Sequence, residues 1–166
     1  VNDAIVRVEL LNDTHQTSAF RCGNPQLDDW LIRVAAGAAH AGTAATYVAL
    51  ADDQRVIGYY ALAMASVTRE DAPSALGRGM PQSIPVILLA RLALSSDVHG
   101  HGLGGSLLVD ALRRCVAGGV AYGARAVVVD AIDDQAAAFY RHFGLRDVDP
   151  PRLWAKLSDL SRSLDP

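Results

Sequence analysis

The sequence is poor in cysteine, almost without lysine, without a positive charge excess and without a long apolar run. Two cysteines, Cys22 and Cys115, stand far apart in 166 residues. A chain of this size buries a sufficient core without cross-links, so they are expected to be reduced packing thiols rather than a disulfide framework. Apolar runs such as residues 86–94 fall far short of the roughly 20 residues that a membrane-spanning helix needs. Asp3 and Arg7 interrupt the N-terminus where a secretory signal would be apolar. These absences point to a cytoplasmic protein with no membrane partner. Fifteen basic against eighteen acidic side chains give a formal net charge of −3, which argues against a surface coated with positive charge for indiscriminate nucleic-acid binding and leaves room for a local basic face. Fourteen of the fifteen basic residues are arginine, the cation suited to bidentate contacts with phosphate or carboxylate.

With 51% hydrophobic and 20% charged residues, the composition is that of one globular domain over residues 1–166. "AIVRVELL" alternates as a strand does. Asn24 and Pro25 open a helix whose apolar face is Leu27, Trp30, Leu31, Val34, Ala35 and Ala38. "TAATYVALAD" and "RVIGYYALAMASV" read as a hairpin turning at Asp53 and Gln54. Residues 68–85 predict a short helix and a loop. "IPVILLARLALSS" is a long strand of the kind covered on both faces. Leu103, Leu107, Leu108, Ala111, Leu112 and Cys115 lie at helical spacing, ended by Gly118 and Gly119. "ARAVVVDAI" predicts a strand. "DDQAAAFYRHFG" has the acidic start, cationic last turn and terminal glycine of a short helix, and "LWAKLSDL" reads as a closing strand.

"VHGHGLGGSLL", residues 98–108, follows the long strand and opens a helix, so unpaired backbone N–H groups and the positive end of the helix dipole meet there. That arrangement suits phosphate. A nucleoside-triphosphate loop is excluded because Ser106, with no lysine before it, follows Gly105. Gly100, Gly102 and Gly105 satisfy the dinucleotide fingerprint, but Arg125 stands where its acidic residue belongs. Asp97, His99 and His101 suggest a metal, yet no other cysteine or histidine cluster completes a ligand set, so no metal is expected. A plain helix-starting turn accounts for one or two glycines, not four.

The segment resembles the pyrophosphate loop of the GNAT acetyltransferases, whose pattern is Gln or Arg, two residues, Gly, one residue, Gly or Ala. His99, Gly102 and Gly104 occupy those places, and His101 stands where many relatives carry arginine. "DDQAAAFYRHFGL" resembles the family's Asn-x-x-Ala helix: Asp133 replaces asparagine, Ala136 and Tyr140 match, and Leu145 follows Gly144. "FRCGNPQLDDWL", "GTAATYVAL", "VIGYYALA" and "IPVILLARLAL" narrow the resemblance to the GNAT toxins of bacterial toxin-antitoxin pairs, the TacT type.

The resemblance implies an α/β (α+β) fold with a mixed, mainly antiparallel twisted sheet, a central splay and flanking helices. It implies acetyl-CoA as cosubstrate, with pantetheine paired to the main chain of Leu92, Ala93 and Leu94. The pyrophosphate would lie on His99, Gly100, His101, Gly102, Leu103, Gly104, Gly105 and Ser106, with Asp133 and Phe139 also on the cofactor side. Tyr140 is the candidate general acid for the departing thiolate; packing beside Phe143 is its competing explanation. The implied activity is acetylation of the α-amine of aminoacyl-tRNA, glycyl-tRNA being the family-based expectation, with inhibition of translation. An α-amine is roughly a quarter neutral near physiological pH and a lysine amine about one part in a thousand, so an α-amine needs little help from a base. Glu70 and Asp130 are the bases that would overturn that view. Arg33, Arg78, Arg91 and Arg141 are candidate tRNA contacts. A homodimer and a ribbon-helix-helix antitoxin are the implied partners. A GNAT acting on a protein N-terminus, lysine or small amine, and a silent CoA-binding module, are the alternatives.

Overall fold

The computed structural model describes residues 4–165, so Asp3 lies outside the described residues. Seven strands hydrogen-bond in the order β1-β2-β3-β4-β5-β7-β6. They are β1 (Arg7–Leu10), β2 (Ala45–Leu50), β3 (Val56–Thr68), β4 (Ser83–Leu94), β5 (Ala126–Asp130), β6 (Arg146–Asp147) and β7 (Arg152–Lys156). The β4–β5 pair is parallel, whereas β1–β2, β2–β3, β5–β7 and β6–β7 are antiparallel. The helices are α1 (Pro25–Asp29), α2 (Ala35–Ala41), α3 (Ser74–Gly77), α4 (Leu103–Gly118), α5 (Asp134–His142) and α6 (Leu157–Leu164).

The chain divides into two compact units. The first runs to Ala63 and includes Ala90–Asp110. Its core joins Phe20, Leu31 and Ala35 to Val48, Leu50, Val56, Tyr59 and Ala93. The helical stretch begins where the Asn24 side chain accepts from Gln26 N at 3.0 Å, and it ends at Gly42, whose φ of +73° lets the chain leave the helix. A π-helical segment, Trp30–Val34, separates α1 from α2. It shifts the phase of the apolar face, and Val34, which regular periodicity places inside, is exposed. Asp28 is buried and accepts from Cys22 N at 2.8 Å.

The second unit holds Met64–Leu89 and the chain from Ala111 onward. Its core groups Leu76, Val86, Ala126, Val128 and Trp154. The closing segment departs from expectation: β7 ends at Lys156 and α6 follows. Leu157, Leu160 and Leu164 recur at three and four residues, and Leu157 and Leu160 are buried. The two-residue strand β6 has no sequence signal of its own.

Candidate functional site

In the first unit, the loop between β4 and α4 turns on two glycines in the left-handed region, Gly100 at φ +83° and Gly102 at φ +75°. A side chain there would meet open space, so it is the backbone conformation that requires glycine. The hydrogen bond entering α4 runs from Ser106 N to Gly102 O at 3.4 Å. Among the described residues, the N–H groups of residues 100–105 find no acceptor within the protein. The result is a row of free donors at the start of a sixteen-residue helix. Leu107 and Leu108 are fully buried and anchor it. This cradle fits a pyrophosphate.

His99, placed by its pattern on the phosphates, has Nε2 2.7 Å from Leu94 O. Against a carbonyl the ring nitrogen donates, so His99 closes the end of β4 with that atom. His101 is exposed. Asp97 is engaged by Arg55 and by the Ser95 hydroxyl, and these bonds hold its carboxyl below the ordinary range.

The ladder from β4 to β5 pairs Val86, Ile87 and Leu88 with Ala126, Val127 and Val128 and stops there. Residues 89–94 therefore continue past the end of this ladder, and Leu92, Ala93 and Leu94 belong to that stretch. Gly58 on β3 makes room beside them: a Cβ there would lie 3.2 Å from Ala93 O, Leu94 Cδ1 and Leu107 Cδ2 alike. A glycine thus brings β3, the end of β4 and the start of α4 close together. Tyr60 donates to Asp110 of α4. Arg91 is half-buried, with its guanidinium carbon 4.4 Å from the Trp30 ring centroid, a contact that composition and periodicity did not signal. Arg33 is exposed and faces Asp29 at 3.6 Å.

In the second unit, Asp133 is the N-cap of α5 and accepts from Ala136 N at 2.7 Å. It does what an asparagine would do at that place, and its carboxylate is occupied by the helix. The helix ends on Gly144 at φ +95°, with Leu145 N donating to Tyr140 O at 3.2 Å. Tyr140 is only 6% exposed and packs edge-on to Phe139, which also contacts Phe143. Burial pushes its phenol up to about 12. The hydroxyls of Tyr59 and Tyr60 are committed to Leu27 O and Asp110. The Tyr140 hydroxyl has no hydrogen-bond partner among the described residues, and it is not one of the sealed polar atoms. A buried ring with an open hydroxyl is the arrangement a proton donor needs.

Arg141 forms a bidentate pair with Asp147 at 2.7 and 2.9 Å, so its guanidinium is satisfied within the protein rather than free for phosphate. Arg78 is exposed and makes no ion pair among the described residues. Asp130 is bound by Arg152 through both oxygens at 2.8 and 2.9 Å, which holds its carboxyl below the ordinary range. A carboxylate so held is a poor base. Glu70 accepts from Gln82. Among the described residues no helix is long and apolar enough to cross a membrane.

The model of the Acetyltransferase (GNAT) family matches residues 8–145. A tRNA-acetylating toxin of Mycobacterium tuberculosis is 42% identical over 151 residues, with 90% of each chain covered. The toxin AtaT, complexed with acetyl-methionyl-tRNAfMet, superposes with a TM-score of 0.85 at 22% identity, covering 95% of this chain and 98% of that one. A mutant AtaT bound to the C-terminus of the antitoxin AtaR gives 0.81 at 20% identity, covering 96% of each chain. The chain therefore belongs to the GNAT family and is an acetyl-CoA-dependent N-acetyltransferase.

Proposed function

We propose that the protein acetylates the α-amine of aminoacyl-tRNA, glycyl-tRNA among the substrates, and thereby inhibits translation in the cytoplasm. The observation that carries the reading is the 42% identity, over nine-tenths of both chains, to a toxin that acetylates tRNA. The protein then acts as the toxin of a pair, as a homodimer neutralised by a ribbon-helix-helix antitoxin. A structural relative bound to its antitoxin supports the pairing.

Acetyl-CoA supplies the acetyl group and a thiolate leaving group. The N–H groups of Gly100, His101, Gly102, Leu103, Gly104 and Gly105, with the Ser106 hydroxyl, hold its pyrophosphate. The main chain of Leu92, Ala93 and Leu94 pairs with its amide-bearing arm and directs N–H groups at the thioester oxygen. The neutral α-amine forms the bond to the carbonyl carbon, the carbon–sulfur bond breaks, and the nitrogen loses a proton to water. Tyr140 gives its hydroxyl proton to the departing sulfur and is reprotonated from solvent. A phenol at about 12 is a weak acid for a thiolate in water, but burial raises thiols too. Cys115 of this chain is pushed up to about 12 by desolvation alone. Apolar surroundings shift a leaving thiolate in the same direction as this phenol. Arg152 keeps Asp130 ionised and hydrogen-bonded, consistent with an amine that needs no carboxylate base.

The test is transfer of labelled acetyl from acetyl-CoA to total charged tRNA, to deacylated tRNA and to lysine-bearing peptides. Label on charged tRNA alone is expected. Label on peptides with none on charged tRNA overturns the reading.

A further inference from the structure

Arg91 breaks the apolar run of β4, and it is half-buried without a carboxylate partner among the described residues. Arg7, Arg33, Arg55, Arg141, Arg152 and Arg162 each face a carboxylate. Arg91 instead lies over Trp30, its guanidinium carbon 4.4 Å from the ring centroid. Trp30 is stacked in turn on Tyr59, with centroids 6.0 Å apart and planes 9° from parallel. Tyr59 meets Phe20 edge-on at 5.6 Å and is fixed by its hydroxyl to Leu27 O at 2.7 Å. The cation therefore rests on an aromatic column rooted in the core. Trp30 opens the π-helical segment, a feature found frequently at functional sites.

A guanidinium is flat and weakly hydrated, and it stacks through its faces while donating from its rim. The Arg91 guanidinium lies over the Trp30 ring. We infer that the Arg91 guanidinium, backed by Trp30, is the platform for the 3′-terminal nucleobase of charged tRNA, the nucleoside whose ribose carries the aminoacyl ester. Single-stranded nucleic-acid ends are recognised by stacking of unpaired bases on aromatic rings and arginine planes. The rim N–H groups remain for the adjoining sugar and phosphate. Arg91 directly precedes Leu92, Ala93 and Leu94 along β4, so the stack lies next in sequence to the main chain assigned to the thioester. The inference rests on the charged-tRNA reading and gives Arg91 a role in base stacking rather than in phosphate contact alone.

The test compares two acceptors that share the amine and differ in the base: an aminoacyl-adenosine and the methyl ester of the same amino acid. The quantity read is the ratio of their kcat/KM values within each variant, which is unaffected by the fraction of enzyme folded. Arg91→Lys keeps the charge and loses the plane; Trp30→Leu removes the backing. Both are expected to lower the ratio about tenfold, with Arg91→Lys as damaging as Arg91→Ala. A ratio retained in Arg91→Lys and lost in Arg91→Ala makes Arg91 a charge contact and overturns the platform. A wild-type enzyme that acetylates charged tRNA while both Arg91→Lys and Trp30→Leu keep its ratio overturns the platform alone. A wild-type enzyme that acetylates other amines and neither charged tRNA nor aminoacyl-adenosine overturns the charged-tRNA reading, and the platform with it.

Discussion

Replacing Gly58 by alanine tests how the cradle is supported. The added Cβ would stand 3.2 Å from Ala93 O, Leu94 Cδ1 and Leu107 Cδ2, inside the roughly 3.5–4.0 Å of ordinary carbon contacts. The two leucine methyls can yield, but the third atom is a backbone carbonyl of β4. Overpacking of this kind costs about 1–3 kcal/mol, while exchanging glycine for alanine returns about 0.5–1 kcal/mol of backbone entropy. The balance is a loss of about 1–2 kcal/mol, or a fall in Tm of roughly 3–6 °C for a chain of this size. Because Ala93 and Leu94 form the proposed pantetheine edge and Leu107 seats α4, acetyl-CoA affinity is expected to fall roughly tenfold, equivalent to about 1.4 kcal/mol. Calorimetric melting and titration with acetyl-CoA read both effects. Gly37→Ala is the control, since a Cβ there meets nothing within 4 Å and a helical Gly-to-Ala change stabilises by roughly 0.8–1 kcal/mol. A Gly58→Ala protein that melts at or above the wild-type temperature and binds acetyl-CoA equally well would refute the close-approach argument.

Three further outcomes follow from the structure. Asp133→Ala, which removes the α5 cap, is expected to cost about 1 kcal/mol, with Asp133→Asn nearly neutral; thermal melts of the two variants check it. Asp130 has its folded pKa lowered by Arg152, so its stabilising contribution is present above the unfolded carboxylate value of about 4 and fades as pH falls through the folded value. Asp130→Asn should therefore lower the urea midpoint at about pH 6, with the difference from wild type shrinking as the pH is lowered below about 4; a difference independent of pH contradicts the pairing. Phenolate absorbance in wild type minus Tyr140→Phe should emerge near 12, where burial places the group, and emergence near the ordinary value of about 10 contradicts the burial argument.

Much of the fold was legible because its signals are local. Asn24 with Pro25, Asp133 with Gly144, and the glycines flanking the start of α4 mark boundaries through cap and turn chemistry. Misreadings arose where two patterns overlap. "LWAKL" alternates as a strand does, and its last leucine also begins the three-and-four spacing of α6, so the strand reading ran four residues too far. The π segment at Trp30–Val34 adds a residue to one turn, and no periodicity rule places that insertion. The site divides in the same way. Glycines at positive φ and the helix start could be read in order along the chain. Partnerships between distant residues could not: Arg141 with Asp147, Arg152 with Asp130, and Arg91 with Trp30 depend on the fold. Arg91 inside "IPVILLARLAL" stood among the candidate tRNA contacts, but its seat on Trp30 depends on the fold.

The central claim is tested most directly by identifying the product on the tRNA. Charged tRNA is incubated with acetyl-CoA and wild-type or Tyr140→Phe protein and digested to nucleosides, and the terminal aminoacyl-adenosine is analysed by mass spectrometry. The account predicts acetyl on the α-nitrogen of the amino acid with wild type, and a rate reduced at least a hundredfold, on the order of a general acid's contribution, with Tyr140→Phe. Aminoacyl-adenosine left unmodified by an enzyme that binds acetyl-CoA would contradict the account, and equal acetylation by the two proteins would remove Tyr140 from the chemistry.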